Sequence, residues 1–279
     1  MAQTAILKED YVPKHQTIAH HFLDLEQDEG FPVTSAEYET LDRIIAEAKT
    51  YIKIKPNCSR KEAINTLQKI DALLIFNGFQ YQKRIILSEA LKTKRSNCVT
   101  SSFLYKAIAE TLDLPVTFSR APAHLFVRWI LNDNDYLNWE TTSRPASECP
   151  NQHYKKIMPI ADSSIKIGIY LTNLTETEAL ALPHAHIGFI LHRKGEVKKA
   201  IKHYQKAIKL YPKHAESHNN IGEAYLELGD HEKAIVALTK AIELHPLSPE
   251  SYNQRSIAYH KIGEKEKAID DACMAFELQ

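Results

Sequence analysis

The chain has few of the features that mark secreted or membrane-spanning proteins. Its 279 residues include 4 cysteines, too few and too scattered for the dense disulfide framework of a small secreted protein. The apolar runs, such as ALLIF, are far too short to cross a bilayer, and the stretch MAQTAILKEDYVPKHQ lacks the cleavage pattern of a signal peptide. We therefore expect a soluble, cytoplasmic protein in a reducing compartment, with no membrane partner.

The chain also lacks an excess of charge of either sign. Its 35 Lys and Arg residues are balanced by 35 Asp and Glu residues, for a formal net charge of zero. No overall electrostatic attraction to nucleic acid exists, so partners must be recognised by local surfaces. A chain of this length with 44% hydrophobic residues can bury substantial cores, and we expect two domains.

A period of 34 residues dominates the C-terminal third of the sequence. It is carried by Gly195, Gly229 and Gly263, by Ala200, Ala234 and Ala268, and by Ala207, Ala241 and Ala275. The pattern resembles the tetratricopeptide repeat, a pair of antiparallel helices per unit, with three units over residues 181–279. Small residues let the two helices of a unit approach: Gly188, Gly222 and Ser256 occupy the small position of each first helix, with Ser256 a mild departure, and Tyr204, Leu238 and Ala272 fill the larger position of each second helix.

The third repeat is not followed by a polar capping helix in this sequence. We expect it to be covered by a partner or by a second copy of the chain, which would be self-association through the uncapped last repeat.

Two capping boxes predict helices in the N-terminal part. Thr34 with Glu37, and Ser59 with Glu62, each precede a run of apolar residues at helical spacing. Residues 1–33 have no comparable periodicity, and we interpret them as an arm that wraps the domain or stays mobile. Residues 145–175 mix turn residues with short apolar runs, which indicates irregular structure leading into the repeats.

Beyond Pro115 the sequence changes to strand-forming composition. The segments VTFSR, HLFVRWIL and YLNWETT are rich in β-branched and aromatic residues and predict a small antiparallel sheet. For Glu140 to lie on the same sheet face as His124, the second hairpin needs a three-residue loop over 132–134, with Asn134 left-handed, or a β-bulge.

Cys98 opens an amphipathic segment instead of lying inside its apolar stripe. Val99, Phe103 and Leu104 begin a stripe at helical spacing, so Cys98 lies near the N-terminus of a helix. The unpaired N–H groups and the helix dipole favour a thiolate there, and Arg95 adds a positive charge nearby.

The order Cys98, His124, Glu140 is that of a nucleophile, a base and an orienting carboxylate. With the motifs NCVTSSFLYKAIAETLDLP, APAHLFVRW and NWETT, it resembles the transglutaminase-like branch of the papain-like cysteine enzymes, over roughly residues 34–175. Bacterial proteins of this type joined to tetratricopeptide repeats are familiar. The resemblance implies an α+β domain, with helices and a small antiparallel sheet, followed by an all-α solenoid. Its acidic residue is usually Asp, whereas this chain has Glu140.

The resemblance implies cysteine-dependent acyl transfer on protein or peptide amides, without a cofactor or metal. Hydrolysis, deamidation and transamidation all remain open, so the protein is expected to be a hydrolase or a transferase. The first alternative is a non-catalytic binding scaffold that has kept only the fold. A zinc site formed by Cys98, His124 and Glu140 is disfavoured, because there is no C-x-x-C pair. Cys149 and His153 are interpreted as loop residues.

The repeats are expected to recruit a protein partner in their concave groove. By repeat position, the residues that contact it are Phe189, Asn219, Glu223, Glu227, Asn253 and Ile257. Glu216 adds to an acidic middle. Repeats that bind the acidic tails of chaperones use a clamp of basic and amide residues, which this groove matches poorly, so we predict a neutral or basic segment. The alternative is that the repeats only stack on the catalytic domain.

Overall fold

A computed structural model describes residues 16–54, 58–83, 85–143 and 145–279. Its chain divides into two compact units. The first unit contains residues 1–116 and 129–148, and the second contains residues 117–128 and 149–279. The predicted boundaries at 34–175 and 181–279 stay a prediction.

The first unit is mainly helical. Its helices and its first two strands are α1 (Ile18–Asp28), α2 (Ser35–Tyr51), α3 (Arg60–Phe76), β1 (Gln80–Tyr81), α4 (Leu87–Thr93), β2 (Arg95–Ser96) and α5 (Cys98–Thr111). The two predicted capping boxes are confirmed, because Thr34 and Ser59 cap α2 and α3 and their backbone N–H groups donate to Glu37 and Glu62. Strands β1 and β2 form a short parallel pair.

Helix α1 lies in the stretch that was predicted to be an arm. Its buried face contains two polar residues among the apolar ones, which interrupts the stripe that identifies a helix. His20 Nε2 lies 3.4 Å from Asp42 Oδ1. Glu26 accepts hydrogen bonds from the N–H groups of Leu87 and Ser88, at 2.7 and 2.8 Å, and so satisfies the N-terminus of α4. Residues 1–15 of the predicted arm lie outside the described residues.

The predicted strands are confirmed. The chain forms a four-stranded sheet in the order β3-β4-β5-β6, made of β3 (Val116–Ala121), β4 (His124–Asn132), β5 (Asp135–Glu140) and β6 (Ser147–Glu148). The predicted three-residue loop over 132–134 is wrong. Strand β4 includes Asn132, two residues separate it from β5, and Asn134 does not have a positive φ. In regular register a two-residue loop puts Glu140 on the sheet face opposite His124, so the place of Glu140 in the triad depends on the β-bulge, which stays a prediction. Asn132 Oδ1 accepts a hydrogen bond from Asn134 N at 3.0 Å, so a side-chain turn closes this hairpin.

The second unit contains the β3–β4 turn and all helices that follow the sheet. Two short helices, α6 (Asn151–Ile157) and α7 (Asp162–Lys166), occupy part of the segment predicted to be irregular. Three helix pairs then form the repeats: α8 (Glu176–Arg193) with α9 (Val197–Leu210), α10 (Ala215–Glu227) with α11 (His231–Leu244), and α12 (Pro249–Lys261) with α13 (Lys265–Glu277).

In the first two repeats the small residue of the first helix packs directly against the large residue of the second helix. A Cβ atom added at Gly188 would lie 2.8 Å from Cε1 of Tyr204, and one added at Gly222 would lie 2.6 Å from Cγ of Leu238. Both distances are too short for carbon atoms in contact. In the third repeat Ser256 is buried, whereas Ala272 is exposed.

We predict that Gly222→Ala destabilises the repeats by about 1–3 kcal/mol, although alanine is the better helix former, because the methyl group overlaps Leu238. Urea unfolding measures the change. Adding Leu238→Ala should recover part of the loss, so the double variant should be more stable than the sum of the single changes predicts. Ser256→Ala is the matched control with a small effect, and strict additivity at Gly222 and Leu238 would contradict the packing argument.

Candidate active site and repeat groove

Cys98 is the first residue of α5, as predicted. Asn97 caps the helix: its Oδ1 accepts from Thr100 N at 2.9 Å, and its own N–H donates to Thr100 Oγ1 at 2.9 Å. The Asn97 side chain also donates to the carbonyl oxygen of Ile85 at 3.0 Å, which ties the cap to the segment before α4. Cys98 is a half-buried free thiol. The capping box therefore fixes the backbone that carries the thiol.

Helix α5 is held by buried polar contacts within the first unit. Ser102 Oγ lies 3.1 Å from Thr141 Oγ1, just beyond the end of β5. Tyr105 donates to Asp71 Oδ1 at 3.0 Å and accepts from the indole N–H of Trp139 at 3.4 Å. Since buried polar groups need partners, these bonds fix the register of α5 against β5, the strand that ends at Glu140.

Glu140 and Cys98 share a neighbour that the sequence analysis did not name. Burial raises the pKa of Tyr81 above its usual value, and the nearby Cys98 and Glu140 raise it further. The Glu140 carboxylate is oriented by its own loop, because Oε1 accepts from Thr142 N at 2.9 Å and from the Thr142 hydroxyl. Tyr81 belongs to a two-residue strand, too short to leave a periodic pattern in the sequence.

His124 belongs to the second unit and is the first residue of β4. It is half-buried, and its ring centroid lies 6.2 Å from that of Phe126 and 6.0 Å from that of Tyr154. The Phe126 and Tyr154 rings stack at 4.3 Å inside a buried cluster. The surroundings of His124 within its unit are therefore aromatic.

Two further residues from the sequence analysis lie in the second unit. Cys149 lies in the loop before α6, as expected, and packs partly buried against the cluster that contains Tyr154. The interpretation of His153 as a loop residue is wrong, because His153 lies on α6, edge-on to the Tyr154 ring. In residues 16–54, 58–83, 85–143 and 145–279, no group of three or more His, Cys, Asp or Glu residues could hold a metal ion.

The residues predicted to contact a partner lie on the first helices of the repeats: Phe189 on α8, Asn219, Glu223 and Glu227 on α10, and Asn253 and Ile257 on α12. Two polar contacts link these helices. Glu227 Oε1 lies 3.0 Å from His192 Nε2, and Asn219 Oδ1 accepts from Ser251 Oγ at 2.7 Å. Asn253 is exposed and Ile257 is 44% exposed.

Glu216 does not add an uncompensated charge to this groove. Its carboxylate forms an ion pair with Arg120 of β3. Burial alone would raise the pKa of the Glu216 carboxyl, but the charge of Arg120 outweighs burial and lowers the pKa to about 2. Glu216 also lines a cavity of about 450 Å³ together with Ala123, Asn219, Asn220, His245 and Ser251.

Models of two protein families match separate parts of the chain. A model of the transglutaminase-like superfamily matches residues 35–142, and tetratricopeptide repeat models match residues 178–246 and 237–270. The chain therefore carries a transglutaminase-like domain followed by tetratricopeptide repeats. This is the predicted combination, and the predicted fold class is confirmed with it.

Among the solved structures similar to the chain are tetratricopeptide repeat domains. The first repeat domain of Spaghetti (RPAP3), bound to an HSP90 peptide, is 24% identical, with a TM-score of 0.35 over 36% of this chain and 79% of that one. The repeat domain of Arabidopsis OM64 is also 24% identical, with a TM-score of 0.37 over 37% of this chain and 85% of that one. No curated protein matches the chain. Within the described ranges, no helix is long and apolar enough to cross a membrane.

His214, beside the Glu216 ion pair, is held in its neutral form. It is buried and caps α10: its Nδ1 accepts from Ser217 N at 3.1 Å. Burial, and then the charge of Arg120, lowers the pKa of His214 from 6.5 to about 3. The folded state thus binds this proton less readily than the unfolded state. The corresponding stability is complete above pH 6.5 and is lost as the pH falls from there towards 3.

We predict that His214→Asn reduces the pH dependence of repeat stability, because asparagine caps a helix without titrating. In the wild-type protein this histidine should contribute up to about 1.4 kcal/mol of unfolding free energy per pH unit below its ordinary pKa. Urea unfolding at about pH 7 and about pH 5 measures the slope. His218 and His245, whose pKa values burial also lowers, titrate in both proteins, so the difference reports on His214. Equal slopes would contradict the assignment.

Proposed function

We propose that the protein catalyses cysteine-dependent acyl transfer on protein or peptide amides, with Cys98 as nucleophile, His124 as base and Glu140 as the orienting carboxylate. The observation that carries the proposal is the position of Cys98, the first residue of a helix whose N-terminus is closed by a buried capping box. The sulfur of Cys98 is thereby held beside the unpaired N–H groups of the first turn of α5. Glu140 is included because it follows Cys98 and His124 in the order of nucleophile, base and carboxylate, and because its carboxylate is oriented by Thr142.

The proposed chemistry proceeds through a thioester. His124 accepts the proton of the Cys98 thiol, and the sulfur attacks the carbonyl carbon of the amide. The negative charge on the carbonyl oxygen is stabilised by the backbone N–H of Cys98, in the first turn of α5. The C–N bond then breaks, His124 gives its proton to the departing amine, and the acyl group stays on sulfur. Water resolves the thioester in hydrolysis, and an amine resolves it in transamidation.

Glu140 acts on the base and not on the substrate in this scheme. A carboxylate beside an imidazole selects its tautomer and stabilises its protonated form. The bonds from Thr142 to Oε1 hold the carboxylate in one orientation, which supports such a role. Glutamate is one methylene longer than the aspartate usual in the family, and the Thr142 contacts compensate for the added freedom of the longer side chain.

We predict that iodoacetamide alkylates Cys98 about tenfold faster than exposed Cys273 at neutral pH, because an unactivated thiol is only a few per cent thiolate there. Peptide mapping by mass spectrometry reads both sites in one chain, so Cys273 is the internal control. Equal rates would favour the non-catalytic scaffold.

We also predict the activity of three variants, measured with an acyl donor that has first been identified by trapping. Cys98→Ala and His124→Ala should abolish acyl transfer, whereas Glu140→Gln should leave weak activity, because the nucleophile remains when only the orientation of the base is lost. Equal activity in all three variants would refute the mechanism.

We propose that the repeats recruit a neutral or basic protein segment. Glu223 and Glu227 remain as acidic groups of α10, and both raise the pKa of Tyr204 after the larger effect of burial. Asn219 uses its Oδ1 for Ser251, so it offers its amide N–H groups to a bound backbone. Exposed Asn253 offers a second amide, and Ile257 and half-buried Phe189 offer apolar surface.

We predict that the full chain binds basic peptides more tightly than acidic ones, with the difference reduced at high salt because surface charges are screened. Fluorescence anisotropy with labelled peptides at two salt concentrations measures this. Glu223→Gln with Glu227→Gln should remove the preference, while Glu243→Gln on a second helix serves as the control. Tighter binding of acidic peptides would contradict the proposal, and no binding of either would favour repeats that only stack on the catalytic domain.

A further inference from the structure

The turn between β3 and β4 has an unusual backbone conformation. Pro122 and Ala123 connect the strands, and Ala123 has a φ of 52°, in the left-handed region that non-glycine residues seldom adopt. His124 follows it directly. A residue in this conformation persists only where its surroundings fix it. The contacts that fix Ala123 therefore also fix the backbone that carries His124.

Those contacts come from Glu216, at the start of α10 in the second repeat. Its Oε1 accepts a hydrogen bond from the N–H of Ala123 at 3.0 Å and one from the hydroxyl of Tyr170 at 3.3 Å. Its Oε2 accepts from the guanidinium of Arg120, at the other side of the turn. The Glu216 carboxylate thus binds residues on both sides of the turn, although Glu216 is distant from the turn in sequence.

Arg120 is itself enclosed by the second unit. It is 4% exposed, and its guanidinium carbon lies 5.4 Å from the Tyr170 ring centroid and 5.7 Å from that of Tyr211. Its backbone oxygen accepts from Leu171 N at 2.8 Å. A buried guanidinium requires a counter-charge, and Glu216 supplies it. Arg120 therefore cannot move away from Glu216 without leaving both charges unpaired.

Apolar packing connects the same turn to the repeats. Ala121 and Phe126, on either side of it, belong to one buried cluster with Ala215 of α10 and Leu244 of α11. Phe126 is also a ring neighbour of His124. The backbone and ring environment of His124 are thus built partly from repeat residues.

We propose that Glu216 is a positioning residue for His124: the second repeat, through this carboxylate, holds the β3–β4 turn in the conformation that presents the base. The proposal rests on the proposed function for its catalytic meaning. The second repeat thus has a role in positioning the base, in addition to the proposed binding of a partner.

The test compares Glu216→Gln with Glu250→Gln in the full chain. Glu250 occupies the equivalent position of the next repeat, lines the same cavity and is bonded by Ser248 Oγ, and so is a matched control. Glu216→Gln should reduce the Cys98-to-Cys273 alkylation ratio about tenfold, towards the value in His124→Ala, because an unpositioned base cannot stabilise the thiolate. Glu250→Gln should keep the wild-type ratio. A wild-type ratio in Glu216→Gln would overturn the proposal.

Amide hydrogen exchange at Ala123, measured by NMR, tests the anchor independently of reactivity. Exchange should accelerate in Glu216→Gln and remain unchanged in Glu250→Gln, and equal protection in both would overturn the proposal. If Glu216→Gln fails to fold by circular dichroism, Glu216→Asp keeps the charge for Arg120 and withdraws from Ala123, with the same expected acceleration. If His124→Ala leaves the alkylation ratio unchanged, the proposed catalytic pair fails, and the exchange result alone decides whether Glu216 holds the turn.

Discussion

The ion pair between Arg120 and Glu216 is the constraint on which much of the second unit depends. Charges removed from water are costly unless they are paired, and here the arginine side chain is 5% exposed and the glutamate 26%. The pair brings β3 to the start of α10. Tyr170, Tyr211 and His214 then pack around it, with pKa values that record the burial and the nearby charges. A single long-range contact thus organises elements that are far apart in the chain.

Elements with a local signature could be predicted from the sequence. The repeats can be predicted because each unit needs a small residue where its two helices touch, as at Gly188 and Gly222. That requirement recurs every 34 residues in the sequence. Helices α2 and α3 can be predicted because the two residues of each capping box are close together in the sequence, at the start of the helix. Helix α1 cannot be predicted in this way, because its buried His20 and Glu26 form polar contacts with other helices, and such contacts have no periodic signature.

The residues of the candidate site also fall into those that the sequence predicts and those that it does not. The position of Cys98 could be predicted because the cap residue and the apolar stripe are adjacent in sequence. The neighbourhood of Tyr81 could not, because two-residue parallel strands bring it there. The repeat position of Glu216 predicts that it lies in the groove, and its side chain does line a cavity at the start of α10. The ion pair between Glu216 and Arg120 cannot be predicted from the repeat pattern, because the pattern describes contacts that all repeats share, whereas this ion pair belongs to the second repeat alone.

The division of the chain into packing units has a consequence for how such a protein can be dissected or recombined. Family resemblance separates residues 35–142 from 178–246, whereas packing assigns residues 117–128 to the same unit as the repeats. A chain cut between the two families would leave Arg120 without its counter-charge and Phe126 without part of its cluster. The unit that packs around Arg120 therefore includes parts of both families, and exchanging the repeats for others would require the β3–β4 turn to be exchanged with them.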